Sequence, residues 1–464
     1  MQRISAVNSC TSFLSSSHQA NIISDLKISS KLPFSDVLPI EEIHQHIQKP
    51  KERKRVLTPA VTLWAFLSQV MDDDQSQQAA VSRVIATAIA QGEEPPSSNT
   101  SAYSQARSRL SENGLRAITC SAAKQIASGT PQASLWKGKH IKLVDGSTLT
   151  MPDTIENQKA YPQSKAQKAG VGFPIMRLVG IIDYITGVVL DLAVGPYQGK
   201  KTGEHALLRA LMSSIHAEDV LLGDCYYPSF FLMATLIRQG ISGVFPAHQS
   251  RKHDFRRGKR LGKKDHIVSW KKPVRPSWME QAEYDELPGA IHVREVTIEI
   301  KQAGLRTRTR ILVTTFLDPK EDSKSDLASL YGCRWFMELT LRSIKETMHM
   351  DILRGRTPGM VRKEIWVHLL AYNLIRKIMA QAAWLHERPP NTLSFKLALQ
   401  SIRSFQQAGL LNKDAPDVLA KLFKAIASKK VGNRPGRQEP RCRKRRHKPF
   451  PLLQKSRELY KNAA

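Results

Sequence analysis

A chain of 464 residues with 41% apolar content has material for roughly two to four domains and a sizeable core. Seventy Lys and Arg against 41 Asp and Glu leave a formal charge of +29 and a pI near 10.0, a balance that favours polyanionic partners. Five scattered cysteines without a CxxC pair argue against a disulfide frame or zinc ribbon, and the lack of an apolar leader core or a long uninterrupted apolar stretch argues against secretion and membrane spanning.

Residues 1–33 are Ser-rich and are expected to lack order. Over 34–137 the pattern is helical: Ser35 is placed to cap a helix through Ile43, Thr58 and Pro59 stand as cap and first turn of TPAVTLWAFLSQVM, and QAAVSRVIATAIAQG stops at Gly92. This segment reads as a helical domain with exposed Arg107, Arg109 and Arg116, suited either to packing and dimerisation or to DNA binding. After Gly138 the rhythm turns to strands. KHIKLVDGSTLTM carries a strand ending at Asp145, and MRLVGIIDYITGVVLDLAVG a hairpin turning between Asp183 and Gly187. A helix over GEHALLRALMSSIH, a strand ending at Asp224, a helix over PSFFLMATLIRQG and a strand over SGVFPAH complete a mixed sheet flanked by helices over 138–247.

The stretch 248–305 is basic, contains Pro and short extended runs, and reads as a β-rich insertion. Residues 306–385 resume the core with the strand TRTRILVTTFLD and the helix that follows; helices are expected over 386–428 and a basic tail over 429–464. The charge excess is local, because residues 251–277 carry 11 Lys and Arg against 2 Asp, and residues 429–464 carry 13 against 2 Glu. Phosphate contact explains such runs better than solubility alone, and Arg256, Arg257, Lys259 and Arg260 are the candidates in the insertion.

The stretch YGCRWFMELTLRSIK, Tyr331 to Lys345, concentrates the chemistry. On a continuous helix Tyr331, Arg334, Glu338 and Lys345 share a sector of roughly 60°, with Arg342 beside them. Phe336, Met337 and Ile344 fall behind and form a face to bury. One acid thus stands among cations able to bind phosphates. Open α/β sheets place their sites beyond the carboxyl ends of strands, where Asp145 and Asp224 stand. Two strand-end aspartates and a helical glutamate are the hard oxygen ligands that a two-metal phosphoryl-transfer site needs. An Asp at a strand end before Gly is otherwise a turn former, and Asp153, Asp183 and Asp191 keep that reading. His248, His253 and His266 lack paired ligand spacing.

The sequence resembles the DDE transposases of bacterial insertion sequences, in the group named after insertion sequence four, whose signature Y-x2-R-x3-E-x6-K is met by Tyr331, Arg334, Glu338 and Lys345. A chance match is expected in about one window in 10⁵, against roughly 450 windows here. LVDGS at Asp145 and LLGDCYYPS at Asp224 resemble the first and second acid motifs of the group. The resemblance implies an RNase H-like mixed-sheet α/β core with a β-rich insertion, a helical N-terminal domain and a helical C-terminal region. It implies catalysis and metal binding by Asp145, Asp224 and Glu338 with two Mg²⁺ ions, Mn²⁺ substituting, and phosphate contacts by Tyr331, Arg334 and Lys345. Cutting and joining of terminal inverted repeats by a homodimer in a synaptic complex, in a cytoplasmic and nucleoid-associated setting, follows from the same likeness. In some relatives a Trp of the insertion stacks on a flipped base, for which Trp270 and Trp278 are candidates here. A DNA-binding relative that has lost catalysis and an RNase H-like nuclease without strand transfer are the alternatives.

Overall fold

The computed structural model describes residues 38–47, 56–90, 92, 94–199, 202–300, 308–410, 416–431, 450 and 452–461; Ser35, the Ser-rich stretch 1–33 and most of the basic tail lie outside them. The first part of the chain forms α1 (Ile40–Ile47), α2 (Pro59–Met71), α3 (Gln77–Ala90), α4 (Thr100–Arg109) and α5 (Glu112–Ser128). Thr58 caps α2 as its sequence predicts, its hydroxyl accepting the Val61 N–H at 3.2 Å with Pro59 in the first turn. Leu63, Phe66 and Leu67 of α2 and Leu115 and Ile118 of α5 enter the main hydrophobic core.

One expectation fails in this region. Arg107 is buried rather than exposed: its guanidinium lies 4.9 Å from the Phe66 ring centre and 5.1 Å from that of Tyr103, and donates to Gln69 Oε1 at 3.4 Å. Aromatic faces and a side-chain amide replace water around it, contacts that a polar helical sequence does not reveal. Arg109 and Arg116 are exposed, but Arg116 is paired with Asp191 at 2.7 Å.

Nine strands form one sheet in the order β3-β2-β1-β4-β5-β9-β8-β7-β6: β1 (Ile141–Thr150), β2 (Ile175–Asp183), β3 (Val189–Pro196), β4 (Val220–Leu222), β5 (Ser242–Pro246), β6 (Lys259–Gly262), β7 (Asp265–Lys271), β8 (Ala290–Ile300) and β9 (Arg308–Thr314). The strands β1, β4 and β5 are parallel, and the other neighbours are antiparallel. This is the RNase H-like mixed sheet expected, with an addition: the insertion strands β6 to β8 continue the same sheet. Because β9 pairs with β5 on one side and β8 on the other, its hydrogen-bonding groups are satisfied on both edges.

Short helices α6 (Ile155–Ala160), α7 (Glu204–Arg209), α8 (Phe230–Arg238) and α9 (Gln281–Glu286) connect strands. They are followed by α10 (Lys324–Gly332), α11 (Trp335–Arg342), α12 (Pro358–Leu385), α13 (Phe395–Gln407) and α14 (Pro416–Ala427), and α15 (Arg457–Lys461) lies near the end of the chain. Helix α12 is buried along most of its length, its buried polar side chains including Glu364, His368, Asn373, Arg376 and Lys377. It packs against α2, α5, α13 and α14 and docks on the β2–β3 turn. Asn373 Oδ1 accepts the Val189 N–H at 2.8 Å, Tyr372 donates to the Gly187 carbonyl at 3.0 Å, and Arg376 Nε donates to the Thr186 carbonyl at 2.7 Å. Gly187 has φ 75° and the Arg376 guanidinium lies where its side chain would stand, so both conformation and space demand glycine. Asp183 serves this turn, accepting from Thr186 N and Oγ1 and from Lys142.

The insertion is tied to the core through Arg294, which is fully buried. It donates to both Asp265 oxygens, at 2.8 and 2.7 Å, and to the Asp322 carbonyl at 2.7 Å. Arg294→Ala leaves the Asp265 charge buried without its partner and is expected to cost about 3–5 kcal/mol. Denaturation followed by circular dichroism checks this, and a loss below about 1 kcal/mol contradicts the assignment.

Candidate active site

Register places the two aspartates. In the parallel pair, Leu143 of β1 lies opposite Leu222 of β4, and Asp145 and Asp224 each stand two residues further on. Both therefore reach the same level on neighbouring strands about 4.8 Å apart, just past the end of β4. Strand β1 does not end at Asp145 as expected but continues to Thr150, because β2 pairs with it that far. Burial falls along β1 at this point, from fully buried at Ile141 to Val144 to half-buried at Asp145 to Thr148. Asp145 Oδ1 accepts its neighbour Gly146 N–H at 2.8 Å, and Asp224 Oδ1 accepts the Tyr226 N–H at 2.8 Å in a tight turn.

Burial raises the Asp145 carboxyl from 3.8 to about 6, and the negative charges of Asp224 and Glu204 push the same way. The Gly146 N–H and the Arg334 guanidinium oppose the rise. Asp145, Asp224, Glu204 and Arg334 therefore share one electrostatic neighbourhood. Like charges crowded at a half-buried position disfavour ionisation there, and an added cation would offset them.

The Tyr331 to Lys345 stretch is not one continuous helix, and the single straight face expected of it is corrected here. Helix α10 ends at Gly332, the turn through Cys333 and Arg334 closes with three-residue spacing, α11 runs from Trp335 to Arg342, and a π-helical turn covers Ser343–Thr347. Arg334 N donates to Tyr331 O at 3.1 Å and Met337 N to Arg334 O at 3.0 Å, so the chain winds more tightly there; Met348 N donates to Ser343 O at 3.0 Å, so it winds more loosely after α11. The apolar back holds, with Phe336, Met337 and Ile344 buried.

Arg334 and Lys345 nonetheless lie close to Asp145 in the fold. Lys345 donates to Ser147 Oγ at 3.0 Å and to the Thr148 carbonyl at 2.9 Å, which anchors the π-helical turn to β1 just beyond Asp145. Tyr331 stands beside Arg334, Arg310 and Cys225, and burial pushes its hydroxyl up while the two guanidinium groups pull it down. Arg310, on β9, is a cation of this neighbourhood that the sequence pattern does not single out. Glu338 is exposed on α11, one turn after Arg334, and α11 packs against β1. Arg342 is exposed. Among the described residues no three His, Cys, Asp or Glu side chains are gathered closely enough to hold a metal ion, so Asp145, Asp224 and Glu338 are not drawn into one closed ligand set.

Glu204, the first residue of α7, is the acid that sequence reasoning missed. In the sequence it is indistinguishable from any acid in the first turn of a helix; only the packing of α7 on β2 and β3 brings it to Gly146. Its neighbour His205 hydrogen-bonds the Tyr226 carbonyl at 2.8 Å and lines a cavity of about 260 Å³ together with Arg209, Phe231 and Trp278. Arg209 stacks on Trp278 at 3.7 Å, whereas Trp270 is buried beneath Arg251, 3.6 Å from its ring centre.

The basic candidates of the insertion do not join the acids. Arg256 and Arg257 are 90% and 85% exposed and both pair with Asp254, and Lys259 and Arg260 are exposed on the edge strand β6. Six strand spacings separate β6 from β1, or roughly 30 Å. His253 and His266 both contact Glu295, at 2.7 and 3.3 Å, and brace the insertion.

The family described as the transposase DDE domain matches residues 136–374, and that described as the insertion element 4 transposase N-terminal region matches residues 30–119. Transposase InsG for insertion sequence element IS4 of Escherichia coli (strain K12) is 26% identical over 418 residues, which cover 87% of this chain and 89% of the relative. The transposase for insertion sequence element IS421 of Escherichia coli is 33% identical over 80 residues, 17% of this chain and 22% of the relative. A solved piggyBac transposase synaptic complex with hairpin DNA covers 85% of this chain and 84% of its own at 10% identity and a TM-score of 0.41, too low for any conclusion to rest on it.

The crowded acids have a stability signature. The Asp145 carboxyl stands at about 6 in the fold against 3.8 when unperturbed, so folding disfavours its charged form. Its contribution to stability is full below the lower value and is lost as pH rises through the higher one. In chelator Asp145→Asn is therefore expected to be more stable than the wild type by about 1–3 kcal/mol near pH 8, a gain that vanishes by about pH 4. Thermal denaturation across that range checks it, and equal stability near pH 8 contradicts the crowding.

Proposed function

The chain belongs to the DDE transposase family, and from that premise we propose that it cuts DNA at the terminal inverted repeats of an insertion sequence and joins the ends to target DNA. The observation that carries this reading is the level placement of Asp145 on β1 and Asp224 just past β4, with Arg334 and Lys345 of the signature brought to the same part of β1. Asp145 and Asp224 would hold two Mg²⁺ or Mn²⁺ ions, and Glu338 would join them as DNA draws α11 inward. Bound there, the ions would supply charge neutralisation at the phosphate and Lewis acidity toward an attacking water or 3′-hydroxyl of the DNA.

The protein's own contribution is position and field. Arg334 is placed to hold a phosphate oxygen beside the aspartates and to offset their charge. Lys345 fixes the π-helical turn on β1 and so sets how far α11 can approach. Arg310 extends the cationic surface beyond Arg334, the Tyr331 hydroxyl stands beside them as a donor, and Arg342 is exposed on α11. Trp278, half-buried at the cavity next to His205, is better placed than Trp270 to receive an unstacked base. The helices before residue 137 and the basic insertion would bind the flanking duplex as part of a dimeric synapse, their Lys and Arg neutralising phosphates at a distance from the cut.

Purified protein, Mg²⁺ and a duplex bearing the element's ends test this reading. Joined products support a transposase with strand transfer, nicks alone a nuclease, and retardation without cleavage a DNA-binding relative. Asp145→Asn, Asp224→Asn and Glu338→Gln are each expected to lower cleavage by about 10³-fold or more, the loss of several kcal/mol of transition-state stabilisation. Full activity in Glu338→Gln contradicts its role. Affinity for the same duplex is expected to fall steeply with salt, and a flat profile in a titration contradicts phosphate binding by the basic segments.

A further inference from the structure

Glu204 contacts the backbone next to Asp145 and the turn that follows Asp224. A Cβ on Gly146 would lie 2.5 Å from Glu204 Cδ and 2.6 and 2.9 Å from its two oxygens, so the carboxylate occupies the space where any side chain at position 146 would stand. On its other side, Glu204 Oε2 accepts the Tyr227 hydroxyl at 3.3 Å. Tyr227 is fully buried and closes the turn that begins at Asp224, its N–H donating to the Asp224 carbonyl at 3.3 Å. One carboxylate is thus pressed on the residue after Asp145 and hydrogen-bonded to the turn of Asp224.

Side chains alternate along β1, so Asp145 and Ser147 share one face and Gly146 lies on the other. Lys345 meets the first face at Ser147, and Glu204 covers the second at Gly146. From across the strand Glu204 acts on the aspartates through its field and through the backbone it braces. A carboxylate added near two others is unfavourable for the empty fold, and a solely structural brace needs no charge, because a glutamine amide can also accept the Tyr227 hydroxyl, although less strongly.

We propose that Glu204 is a fourth carboxylate of the catalytic centre, a positioning residue held between Gly146 and Tyr227 that strengthens divalent-cation binding by Asp145 and Asp224. This rests on the assignment of those aspartates as metal ligands. The requirement for glycine after Asp145 follows from it, since the residue must make room for the carboxylate.

Manganese binding to the full-length protein, read from the electron paramagnetic resonance of free Mn²⁺, tests the proposal alongside melting temperature in chelator. Glu204→Gln is expected to weaken Mn²⁺ binding by about tenfold, the order expected for one charge lost beside a partly buried cation, while melting at or above the wild-type temperature. Glu204→Asp, which restores the charge, is expected to recover part of the affinity. Wild-type affinity in Glu204→Gln, or binding by Glu204→Asp no better than by Glu204→Gln, overturns the proposal and leaves a structural brace. Asp145→Asn separates the two levels. If it binds Mn²⁺ as tightly as the wild type, the assignment of the aspartates fails; if it loses binding while Glu204→Gln does not, only the role of Glu204 fails.

Discussion

The parallel pairing of β1 with β4 is the constraint on which the site depends. It sets Leu143 against Leu222 and so brings Asp145 and Asp224 level with each other, although 78 residues lie between them in the chain. Two carboxylates at that spacing repel, and the half-buried position of Asp145 magnifies the repulsion by removing water. The fold holds them together because the surrounding strands are fixed by apolar packing and by backbone ladders that owe nothing to the acids. The acids are thus held against their own repulsion, which a bound cation would relieve.

Counter-charge enters from the Tyr331 to Lys345 stretch, where the irregular winding gains a purpose. A straight helix through these residues would carry Tyr331, Arg334 and Lys345 along one line. The tight turn at Cys333 and Arg334 and the loose turn at Ser343–Thr347 instead bring Arg334 towards Asp145 and seat Lys345 on Ser147 and Thr148. Irregular turns inside helices are common at functional sites because they re-aim side chains that regular geometry would misplace. Glu338 lies between two such turns, on the one segment of the stretch that is regular.

Much of this was legible in the sequence. The cap at Thr58 and Pro59, the hairpin at Asp183 to Gly187 and the short strand before Asp224 follow from local pattern, because their determinants lie within a few residues of each other. The end expected of β1 at Asp145 does not, since pairing with the distant β2 carries that strand on to Thr150. Four features were not legible. Arg107 reads as a surface cation, yet the faces of Phe66 and Tyr103 enclose it. Glu204 reads as an ordinary helix-start acid, and its contact with Gly146 spans 58 residues. The continuity of the insertion with the central sheet depends on β9 pairing with both β5 and β8. The break in the Tyr331 to Lys345 helix carries no Pro to announce it. All four are set by distant packing, which periodicity does not encode.

The central claim is that Asp145 on β1 and Asp224 after β4 form a divalent-cation centre that α11 completes. Anomalous scattering from crystals of the protein with an element-end duplex and Mn²⁺ tests it most directly. The account predicts manganese density between the Asp145 and Asp224 carboxylates, with Glu338 turned in to meet it. Manganese bound elsewhere, or an ordered duplex with these three carboxylates bare of metal, would contradict it.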